Sequence, residues 1–554
     1  MSELLTADSF TGLIAARAAA TGDQVMLLDD HGRQITFKDF KHYAERLAET
    51  LSAQGICPGS RVAWQLPTRI STIMVMAALA RLGAVQAPVI PIYAERETRA
   101  AVATSGAEFL LVPGTWRGTD YVARASAIGS ALESSLGAAP AVIVVGDEAP
   151  EPDVTGVPGA FVEAGAPAAT GAPGAADVPG AGGSLPPSAA SGGWVYFTSG
   201  SSGLPKGARH TDASLLAAAS GWTSQGEVGA EPGDVGSMAF PVAHVGGIVY
   251  VMSQLMRGFP IVVAEAFDAG TLDLFRRHGV TMGGGSTVFY TGLLAAQRAL
   301  VSAQGPDARL LPSLRLLKGG GAPCPPTVFR SVREEMGVTV AHDYGMTEVP
   351  MICVASPLDS DEQLADTDGR PIPGNEVRIV EDDVVLPVGT DGEIQVRGAD
   401  VFGGYTDASL DASAFTPDGW FRTGDRGHLR PDGHIEVTGR TKDLIIRKGE
   451  KIAPLELETL LIQHPAVAEV AVVGLPDDER GERVCAVLTL RAGASALSIG
   501  EASSFLRDKG LMPQKLPEQV EFVDELPRTG LGKVAKLVLR DKFSGADDAA
   551  PAAG

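Results

Sequence analysis

Hydrophobic and polar positions alternate along the first part of the chain with two different periods. Residues 37–54 repeat apolar side chains at helical spacing, whereas residues 61–66 form a short apolar run typical of a strand. A second helical repeat at residues 73–82 is followed by another short apolar run at residues 85–90. Helices and strands that alternate in this way predict an α/β layered fold.

The pattern changes after Gly374. Short strands separated by turns then predominate, at residues 376–380, 392–397 and 434–438. The last segment mixes both periods and predicts helices at residues 454–463 and 498–509 and strands at residues 467–474 and 483–490. We therefore predict a small, separate α+β domain at the C-terminal end, with its boundary near residues 439–442.

Composition interrupts the pattern in two places. Between residues 147 and 193, Ala, Gly, Pro and Ser predominate, and few large apolar side chains are present to anchor the backbone. This composition favours a disordered insertion or a long surface loop, either a regulatory lid or an inert solvated segment. A disordered tail is predicted at residues 544–554. The predicted domains are therefore residues 1–440 and residues 441–543.

Charge and length narrow the class of protein. With 554 residues, 45% hydrophobic and 20% charged, the chain has the length and composition of a soluble globular protein with a large core. Its net charge of −22 repels nucleic acid and anionic membrane surfaces, so neither is expected as a partner. Any phosphate site must therefore be a local basic exception.

Cysteine spacing and hydropathy predict a cytoplasmic protein. Four cysteines lie far apart with no CxxC pair, at Cys57, Cys324, Cys353 and Cys485. Neither a disulfide framework nor a zinc site is indicated by that spacing. The first 25 residues lack the basic start and apolar run of a secretory signal. The most apolar region, residues 238–263, contains Pro241 and Arg257 and is interpreted as buried helix and strand, so no integral membrane segment is expected.

A phosphate-binding loop is predicted after the apolar run at residues 194–197. Glycines, hydroxyl side chains and one lysine are combined in the ten residues Thr198, Ser199, Gly200, Ser201, Ser202, Gly203, Leu204, Pro205, Lys206 and Gly207. Glycines let backbone N–H groups approach an anion, hydroxyls donate hydrogen bonds, and lysine supplies a mobile charge. The spacing GxxGxxKG differs from the Walker A pattern. A simple Gly/Ser turn would explain the small residues but not the Pro-Lys-Gly ending.

Three further segments carry polar side chains. They are residues 342–348 (HDYGMTE), residues 419–425 (GWFRTGD) with the following 439–443 (GRTKD), and residues 527–533 (PRTGLGK). Each is a weak signal by itself. Together, in this order, the four segments resemble those of the ANL superfamily of adenylate-forming enzymes, and the resemblance extends over nearly the whole chain.

The resemblance implies a fold and an activity. The fold would be α/β, with a large multi-layer N-terminal domain of β-sheets between helices plus a small β-barrel, and a smaller mobile α+β C-terminal domain. The activity would be that of an acyl-CoA synthetase, which activates a carboxylic acid with ATP and Mg²⁺ and transfers the acyl group to coenzyme A. Two anions meet in the first step, so lysine, Mg²⁺ and oriented donors must offset their charge.

The resemblance also implies which residues contact the nucleotide and coenzyme A. That set is Thr198, Ser199, Gly200, Ser201, Ser202, Gly203, Lys206, Gly320, Gly321, Ala322, Pro323, Asp343, Tyr344, Gly345, Met346, Thr347, Asp425, Arg440, Lys442, Gly449 and Lys533. Within it, the loop to Lys206 would hold the β- and γ-phosphates, Tyr344 would stack on adenine, and Asp425 would accept the ribose hydroxyls. Arg440 would contact ribose or phosphate.

Catalytic roles are implied for five side chains: Lys206, His244, Thr347, Glu348 and Lys533. Thr347 would meet the α-phosphate, Glu348 the Mg²⁺ ion, and Lys533 would bridge the carboxylate and the α-phosphate.

Two further positions matter for transfer to coenzyme A. Lys442 matches the hinge between two domain orientations. Gly449 matches a glycine beside the pantetheine arm of CoA, and an ordinary turn glycine is the alternative.

The segment 240–247 (FPVAHVGG) bears on the choice of acid. It contains no acidic residue, which favours a carboxylate without an α-amine over an amino acid. His244 resembles a pocket histidine of acyl-CoA synthetases, and a satisfied core histidine is the alternative. Where many relatives have Gly-Val-Pro-Thr, this chain has glycines in residues 282–287 (MGGGST), so we predict a wider pocket for a medium-chain, alicyclic or steroid-like acid.

Two alternatives to an acyl-CoA synthetase stay open at this point. One is an acyl-AMP ligase that loads a carrier protein, and the other is a non-catalytic nucleotide-binding relative. The second is disfavoured because Lys206, Glu348 and Lys533 are all present. The sequence leaves the oligomeric state open, with a homodimer as one option.

Overall fold

The structure, a computed structural model, describes residues 7–146, 162–164, 193–199, 205–447, 450–477, 480–528 and 533–544. Its first part contains α1 (Phe10–Thr21), β1 (Val25–Asp29), β2 (Gln34–Thr36), α2 (Phe37–Ala53), β3 (Arg61–Trp64), α3 (Ile70–Arg81), β4 (Val85–Pro88), α4 (Glu95–Ser105), β5 (Phe109–Val112), β6 (Thr115–Trp116), β7 (Thr119–Asp120), α5 (Tyr121–Leu136), β8 (Ala141–Val145) and β9 (Val162–Ala164). The four elements predicted from residues 37–54, 61–66, 73–82 and 85–90 are confirmed as α2, β3, α3 and β4.

The second part carries most of the predicted site. It contains β10 (Gly193–Ser199), β11 (Pro205–Thr211), α6 (Asp212–Ser224), β12 (Gly236–Met238), α7 (Val245–Arg257), β13 (Ile261–Val263), α8 (Ala269–Arg277), β14 (Met282–Gly285), α9 (Thr287–Gln304), β15 (Leu316–Gly320), α10 (Pro326–Met336), β16 (Thr339–Asp343), β17 (Cys353–Val354), α11 (Asp361–Asp366) and β18 (Arg370–Pro371). The apolar region at residues 238–263 is buried helix and strand, as predicted.

These elements build two seven-stranded sheets. The first has the order β16-β15-β14-β12-β13-β1-β2, and the second has the order β11-β10-β4-β3-β5-β8-β9. Strands from β16 to β1 in the first sheet, and from β10 to β8 in the second, run parallel. Parallel strands are buried on both faces, which explains their continuous apolar runs.

Helices α3 and α7 are apolar on nearly every side, and this explains their position inside the molecule. Every residue from Ile70 to Ala80 is buried, and α3 contacts β1 of the first sheet and β4 of the second. In α7, Gln254 donates a hydrogen bond to the carbonyl of Met26 in β1. The core of the large domain therefore lies between the two sheets.

The Ala/Gly/Pro-rich stretch predicted as an insertion falls outside the described residues except at β9 and at Gly193. Strand β9 runs antiparallel to β8, with Ala164 opposite Ile143, and forms one edge of the second sheet. Residues 545–554 of the predicted tail also fall outside the described residues.

A third, antiparallel sheet follows. Its elements are β19 (Asn375–Glu381), β20 (Val384–Val385), β21 (Gly392–Gly398), α12 (Asp411–Ala414), β22 (Phe421–Leu429) and β23 (Ile435–Arg440). The strand order is β20-β19-β21-β22-β23, and this five-stranded sheet stands where the small barrel was predicted. A 3₁₀ turn at Thr441–Asp443 then leads out of it.

The C-terminal part has its own sheet. Its elements are β24 (Ile445–Arg447), β25 (Glu450–Ile452), α13 (Pro454–Leu461), β26 (Val467–Asp477), β27 (Gly481–Leu490), α14 (Ile499–Asp508), β28 (Gln519–Phe522) and α15 (Lys536–Phe543). Side chains alternate between its two faces: Val472 packs with Leu457 of α13, whereas Val473 packs with Leu539 of α15. The predicted domain boundary at residues 440 and 441 falls just before this sheet.

No helix within the described ranges has the length and apolar character required to cross a bilayer. All four cysteine thiols are free.

Candidate active site

The predicted site residues lie where several elements end or begin at the same side of the two sheets. Strands β15 and β16 end at Gly320 and Asp343, β10 ends at Ser199, and α7 begins at Val245. In open α/β sheets, ligands bind outside the carboxyl ends of parallel strands. Among the described residues, Tyr196 of β10, His244 before α7 and Thr347 after β16 line one small cavity.

The predicted phosphate loop connects an antiparallel pair of strands. Thr198 of β10 lies opposite Lys206 of β11. The Nζ atom of Lys206 lies 5.3 Å from the ring centroid of Tyr405. Four predicted contacts of this loop, Gly200, Ser201, Ser202 and Gly203, lie outside the described residues.

The segment from Tyr344 to Glu348 forms a tight turn. Tyr344 exchanges two backbone hydrogen bonds with Cys353 of β17, and Met346 exchanges two with Val349. A Cβ atom at Gly345 would lie 2.1 Å from the carbonyl oxygen of Pro350, so only glycine fits there. These contacts fix the backbone of the turn, and therefore the positions from which Thr347 and Glu348 extend at the end of β16.

A buried histidine positions Thr347. His210 of β11 donates from Nε2 to the carbonyl of Thr347 over 2.7 Å, and its Nδ1 lies 3.0 Å from the hydroxyl of Ser214. Burial lowers the pKa of His210 to about 4, which keeps the ring neutral. The sequence analysis did not identify His210, which links the strand of Lys206 to the turn of Thr347.

Asp425 contacts both Tyr344, which follows β16, and Arg440 at the end of β23. Its Oδ2 accepts a hydrogen bond from the hydroxyl of Tyr344 (2.9 Å), and its Oδ1 lies 3.0 Å from Nε of Arg440. Burial raises the pKa of Asp425, and Arg440 opposes that shift. Each carboxylate oxygen keeps a second lone pair, so the predicted acceptance of ribose hydroxyls remains chemically available.

Two glycines end strand β15, next to the start of the turn at Tyr344. Gly319 has a φ of 141°, and a Cβ atom there would lie 1.9 Å from the carbonyl oxygen of Gly285. A Cβ atom at Gly320 would lie 2.0 Å from the carbonyl oxygen of Asp343. Glycine is therefore required at the end of β15, because the backbones of β14 and β16 pack directly against it. Thr287 fixes the next two predicted contacts by donating to the carbonyls of Ala322 and Pro323.

Glu348 is the predicted magnesium ligand. It is only 8% exposed, and its Oε1 accepts a hydrogen bond from the hydroxyl of Tyr405 over 2.8 Å. Burial raises the pKa of Glu348, whereas Tyr405 and Lys206 act in the opposite direction. No cluster of three metal-ligating side chains occurs among the described residues. One hard carboxylate fits Mg²⁺, which takes one or two carboxylates and completes its shell with phosphate oxygens and water.

The buried carboxylate of Asp343 is bonded to other groups of the protein. Its carboxylate lies 2.8 Å from Nζ of Lys318 and accepts hydrogen bonds from Nε1 of Trp222 (2.7 Å) and the backbone N–H of Ala355 (3.1 Å). Both charged side chains are 3% exposed. Burial raises the pKa of Asp343 and lowers that of Lys318, while their mutual attraction opposes both shifts. The carboxylate predicted to contact the nucleotide thus fixes β15, β16 and α6 to one another.

Replacing Lys318 with methionine is expected to lower the free energy of unfolding of the large domain by about 3–5 kcal/mol, because a buried carboxylate loses its counter-charge. Calorimetric thermal unfolding would measure the change. The double variant Lys318→Met/Asp343→Asn should recover a large part of it, since asparagine still accepts from Trp222. An unchanged transition in the single variant would contradict this prediction.

His244 is the N-cap residue of α7, and its Nδ1 accepts a hydrogen bond from the backbone N–H of Gly246 over 3.2 Å. Its ring borders a small cavity together with Tyr93, Tyr196 and Thr347. Burial and the charge of Lys533 lower the pKa of His244 to about 4. His244 is thus a neutral cap whose Nε2–H is available to the site.

The glycine run within β14 is packed by aromatic rings. A Cβ atom at Gly284 would lie 3.1 Å from the ring of Phe240, and one at Gly285 would lie 2.4 Å from the ring of Phe289. Phe289 also packs edge-on against Phe267, with 5.1 Å between ring centroids. The space that the glycines leave is therefore occupied by these rings. A wider pocket does not follow from the glycines alone.

Lys533 brings the C-terminal part of the chain to the cleft. The residue is exposed, yet its pKa is lowered by partial loss of hydration and by Arg440 and Lys442, while Asp425 and Glu348 act in the opposite direction. Its ammonium group thus lies within electrostatic range of the carboxylates of Asp425 and Glu348. Lys442 is exposed in the 3₁₀ turn at Thr441–Asp443, and Gly449 lies outside the described residues.

Comparison with known proteins finds similarity in both the large N-terminal part and the C-terminal part of the chain. The family model for AMP-binding enzymes matches residues 14–406, and the model for the C-terminal domain of AMP-binding enzymes matches residues 456–533. The chain is 30% identical to the medium-chain fatty-acid–CoA ligase of Escherichia coli (strain K12), over 94% of this chain and 88% of the relative. It is 33% identical to the indoleacetate–CoA ligase of Aromatoleum aromaticum, over 92% and 94%.

A solved structure agrees in fold. The crystal structure of ATP-bound MatB from Rhodopseudomonas palustris aligns with a TM-score of 0.79 and 28% identity, covering 97% of this chain and 99% of that one. The similarity therefore includes both the large domain and the C-terminal part.

Proposed function

This chain belongs to the family of AMP-binding enzymes, as an AMP-forming acid–CoA ligase, and we propose on that premise that it activates an apolar carboxylic acid. The acid is first converted with ATP to an acyl-adenylate and pyrophosphate, and then with coenzyme A to an acyl-CoA and AMP. The observation that carries the proposal is that the carboxylates of Glu348 and Asp425 lie within electrostatic range of Lys533. Lys206 lies beside the same group, because its Nζ is over the ring of Tyr405, whose hydroxyl donates to Glu348.

In the first step, a carboxylate oxygen of the acid attacks the α-phosphorus of ATP. The bond from the α-phosphorus to the bridging oxygen breaks, and pyrophosphate leaves with the electron pair. Lys533 offsets the charge of the two anions that approach each other, and Lys206 does the same for the departing phosphates. Glu348 would hold a magnesium ion, which when bound would supply further positive charge to the phosphate oxygens.

In the second step, the thiol sulfur of coenzyme A attacks the acyl carbon and gives up its proton to water. The bond from the acyl carbon to the phosphate oxygen breaks, and AMP leaves with the electron pair. Lys533 would act only in the first step. For the second step, the C-terminal domain would rotate about Lys442 and bring Gly449 beside the pantetheine arm of coenzyme A. Both roles come from the family resemblance and are part of the proposal. Transfer to a carrier-protein thiol instead of coenzyme A would use the same first step.

The acid is the least constrained part of the proposal. The segment 240–247 offers no carboxylate to pair with an amine, which favours acids without an α-amino group. We propose a medium-chain, alicyclic or steroid-like acid. Phe240 and Phe289, which fill the space beside the glycine run, would then form an apolar wall of its pocket.

A panel of acids tests both parts of the proposal. Acid-dependent exchange of labelled pyrophosphate into ATP reports adenylate formation, and AMP release with and without coenzyme A reports transfer. We expect exchange and CoA-dependent AMP release with apolar acids, and neither with α-amino acids. Medium-chain, alicyclic and steroid acids should exceed acetate in kcat/KM.

Each contrary outcome has a distinct meaning. Exchange without CoA-dependent release would favour the carrier-protein alternative. No exchange with any fatty, aromatic, alicyclic or steroid acid would favour a non-catalytic nucleotide-binding protein and refute the enzyme. A preference for acetate would refute only the proposed acid class.

A further inference from the structure

Tyr405 lies between two charged groups of the site without being charged itself. Its hydroxyl donates to Oε1 of Glu348 over 2.8 Å, while Nζ of Lys206 lies over its ring, 5.3 Å from the centroid. We propose that Tyr405 is a positioning residue that keeps the phosphate-binding lysine and the metal-binding carboxylate apart and correctly oriented. The proposal rests on the roles that the proposed function gives to Lys206 and Glu348.

The backbone of Tyr405 is tied to the strand that carries Lys206. Residues 403–406 run beside β11: the N–H of Gly403 donates to the carbonyl of Arg209, and the N–H of Thr406 donates to that of Gly207. Thr406 lies so close to Gly207 that a Cβ atom there would be 2.8 Å from its hydroxyl oxygen. The backbone of Tyr405 is therefore fixed relative to the strand that carries Lys206.

The ring of Tyr405 is held from its other side. Tyr405 is 6% exposed and packs edge-on against Phe402, with 4.8 Å between ring centroids, and Phe402 stacks on Phe415. Its backbone N–H donates to Asp411 over 2.8 Å. With ring and backbone both fixed, the direction in which the hydroxyl points is fixed as well.

A neutral partner suits a metal-binding carboxylate. A lysine bonded directly to Glu348 would neutralise it and compete with Mg²⁺, and the lysine would be unavailable to phosphate. In the described part of the chain no ion pair joins Lys206 to Glu348, although Lys206 is within electrostatic range of it, and Tyr405 contacts both: its ring faces Lys206 and its hydroxyl bonds Glu348. The hydroxyl engages one carboxylate oxygen and leaves the other for the metal, so the ring acts as a spacer and the hydroxyl as an orienting donor.

Two substitutions separate these roles. Tyr405→Phe keeps the spacer and removes the donor. Tyr405→Leu removes both and lets Lys206 approach Glu348. Phe415→Leu is the matched control, because Phe415 belongs to the same aromatic cluster and stacks on Phe402 from its other side. Circular dichroism and thermal unfolding would confirm that all three variants fold.

The readouts are binding measurements on the full-length protein. Mn²⁺ affinity is measured by electron paramagnetic resonance with α,β-methylene-ATP bound, and affinity for α,β-methylene-ATP is measured by calorimetry in EDTA. We expect Tyr405→Phe to weaken Mn²⁺ binding about tenfold or more, as removal of an outer-shell partner does, with nucleotide affinity in EDTA unchanged. Tyr405→Leu should weaken both, and Phe415→Leu neither.

The proposal is overturned if Tyr405→Phe binds Mn²⁺ as the unaltered protein does, or if Phe415→Leu matches Tyr405→Leu. These outcomes leave the proposed function intact, because the unaltered protein still binds metal and nucleotide. An unaltered protein that binds neither Mn²⁺ nor the analogue would refute the proposed function itself, and the role of Tyr405 with it.

Discussion

Replacing Lys533 with alanine is expected to slow adenylate formation by about 10²–10³-fold, the loss typical of one well-placed charge-stabilising donor. The reason is that Lys533 is the cation that the C-terminal part brings close to Asp425 and Glu348. Reaction of supplied acyl-AMP with coenzyme A should stay within a few-fold of the unaltered rate. Pyrophosphate exchange measures the first effect, and AMP release from acyl-AMP measures the second.

Lys542→Ala is the matched control. This lysine is exposed on α15, and its Nζ lies 5.1 Å from the ring centroid of Phe543. It should leave both half-reactions unchanged. Equal loss of both half-reactions in Lys533→Ala would contradict a role confined to the first step.

Lys442→Pro should have the opposite selectivity. Proline fixes φ near −65°, which agrees with the 3₁₀ turn observed at Thr441–Asp443 but prevents a backbone rotation at that residue. Adenylate formation should therefore persist, whereas reaction of acyl-AMP with coenzyme A should fall by about 10²-fold, as misplacement of reacting groups does. Acyl-AMP should then accumulate, which chromatography of quenched reactions would detect.

Lys442→Ala serves as its control, because it removes the charge and leaves the backbone free. Its transfer to coenzyme A should stay much faster than that of Lys442→Pro. If alanine and proline slow transfer to coenzyme A equally, the side chain and not the hinge rotation is responsible, and the two-orientation mechanism loses its support.

Sequence patterns predicted the helices and strands well because hydrophobic periodicity is short-range information. The helical repeat that became α2 and the alternation in β26 and β27 are visible within a dozen residues. The turn at Tyr344–Glu348 also depends on nearby residues, since Tyr344 pairs with Cys353 and Gly345 is packed by Pro350. Gly319 and Gly320 are instead required by Gly285 and Asp343, which are distant in sequence.

Partners separated along the chain could not be found in the same way. Tyr405 lies 57 residues from Glu348, and His210 lies 137 residues from Thr347, yet each pair shares a hydrogen bond. Neither Tyr405 nor His210 lies in a sequence motif that indicates a functional residue. Only the packing of residues 403–406 against β11 brings Tyr405 to the site.

The glycine run at residues 283–285 shows a different limit. Small residues in a sequence indicate where space is available but not which side chain fills it. Phe240 and Phe289 fill it here, and their positions depend on β12 and α9 as much as on the glycines. Pocket size therefore depends on long-range packing, which no local pattern encodes.

The cations around Lys533 also have a consequence for the order of events. Arg440 and Lys442 lower the pKa of Lys533, so three like charges lie within electrostatic range of one another, while Asp425 and Glu348 act in the opposite direction. In the proposed reaction, ATP would add further negative charge beside these cations, and the departing pyrophosphate would remove much of it. Loss of pyrophosphate would then weaken the attraction that holds Lys533 near these carboxylates.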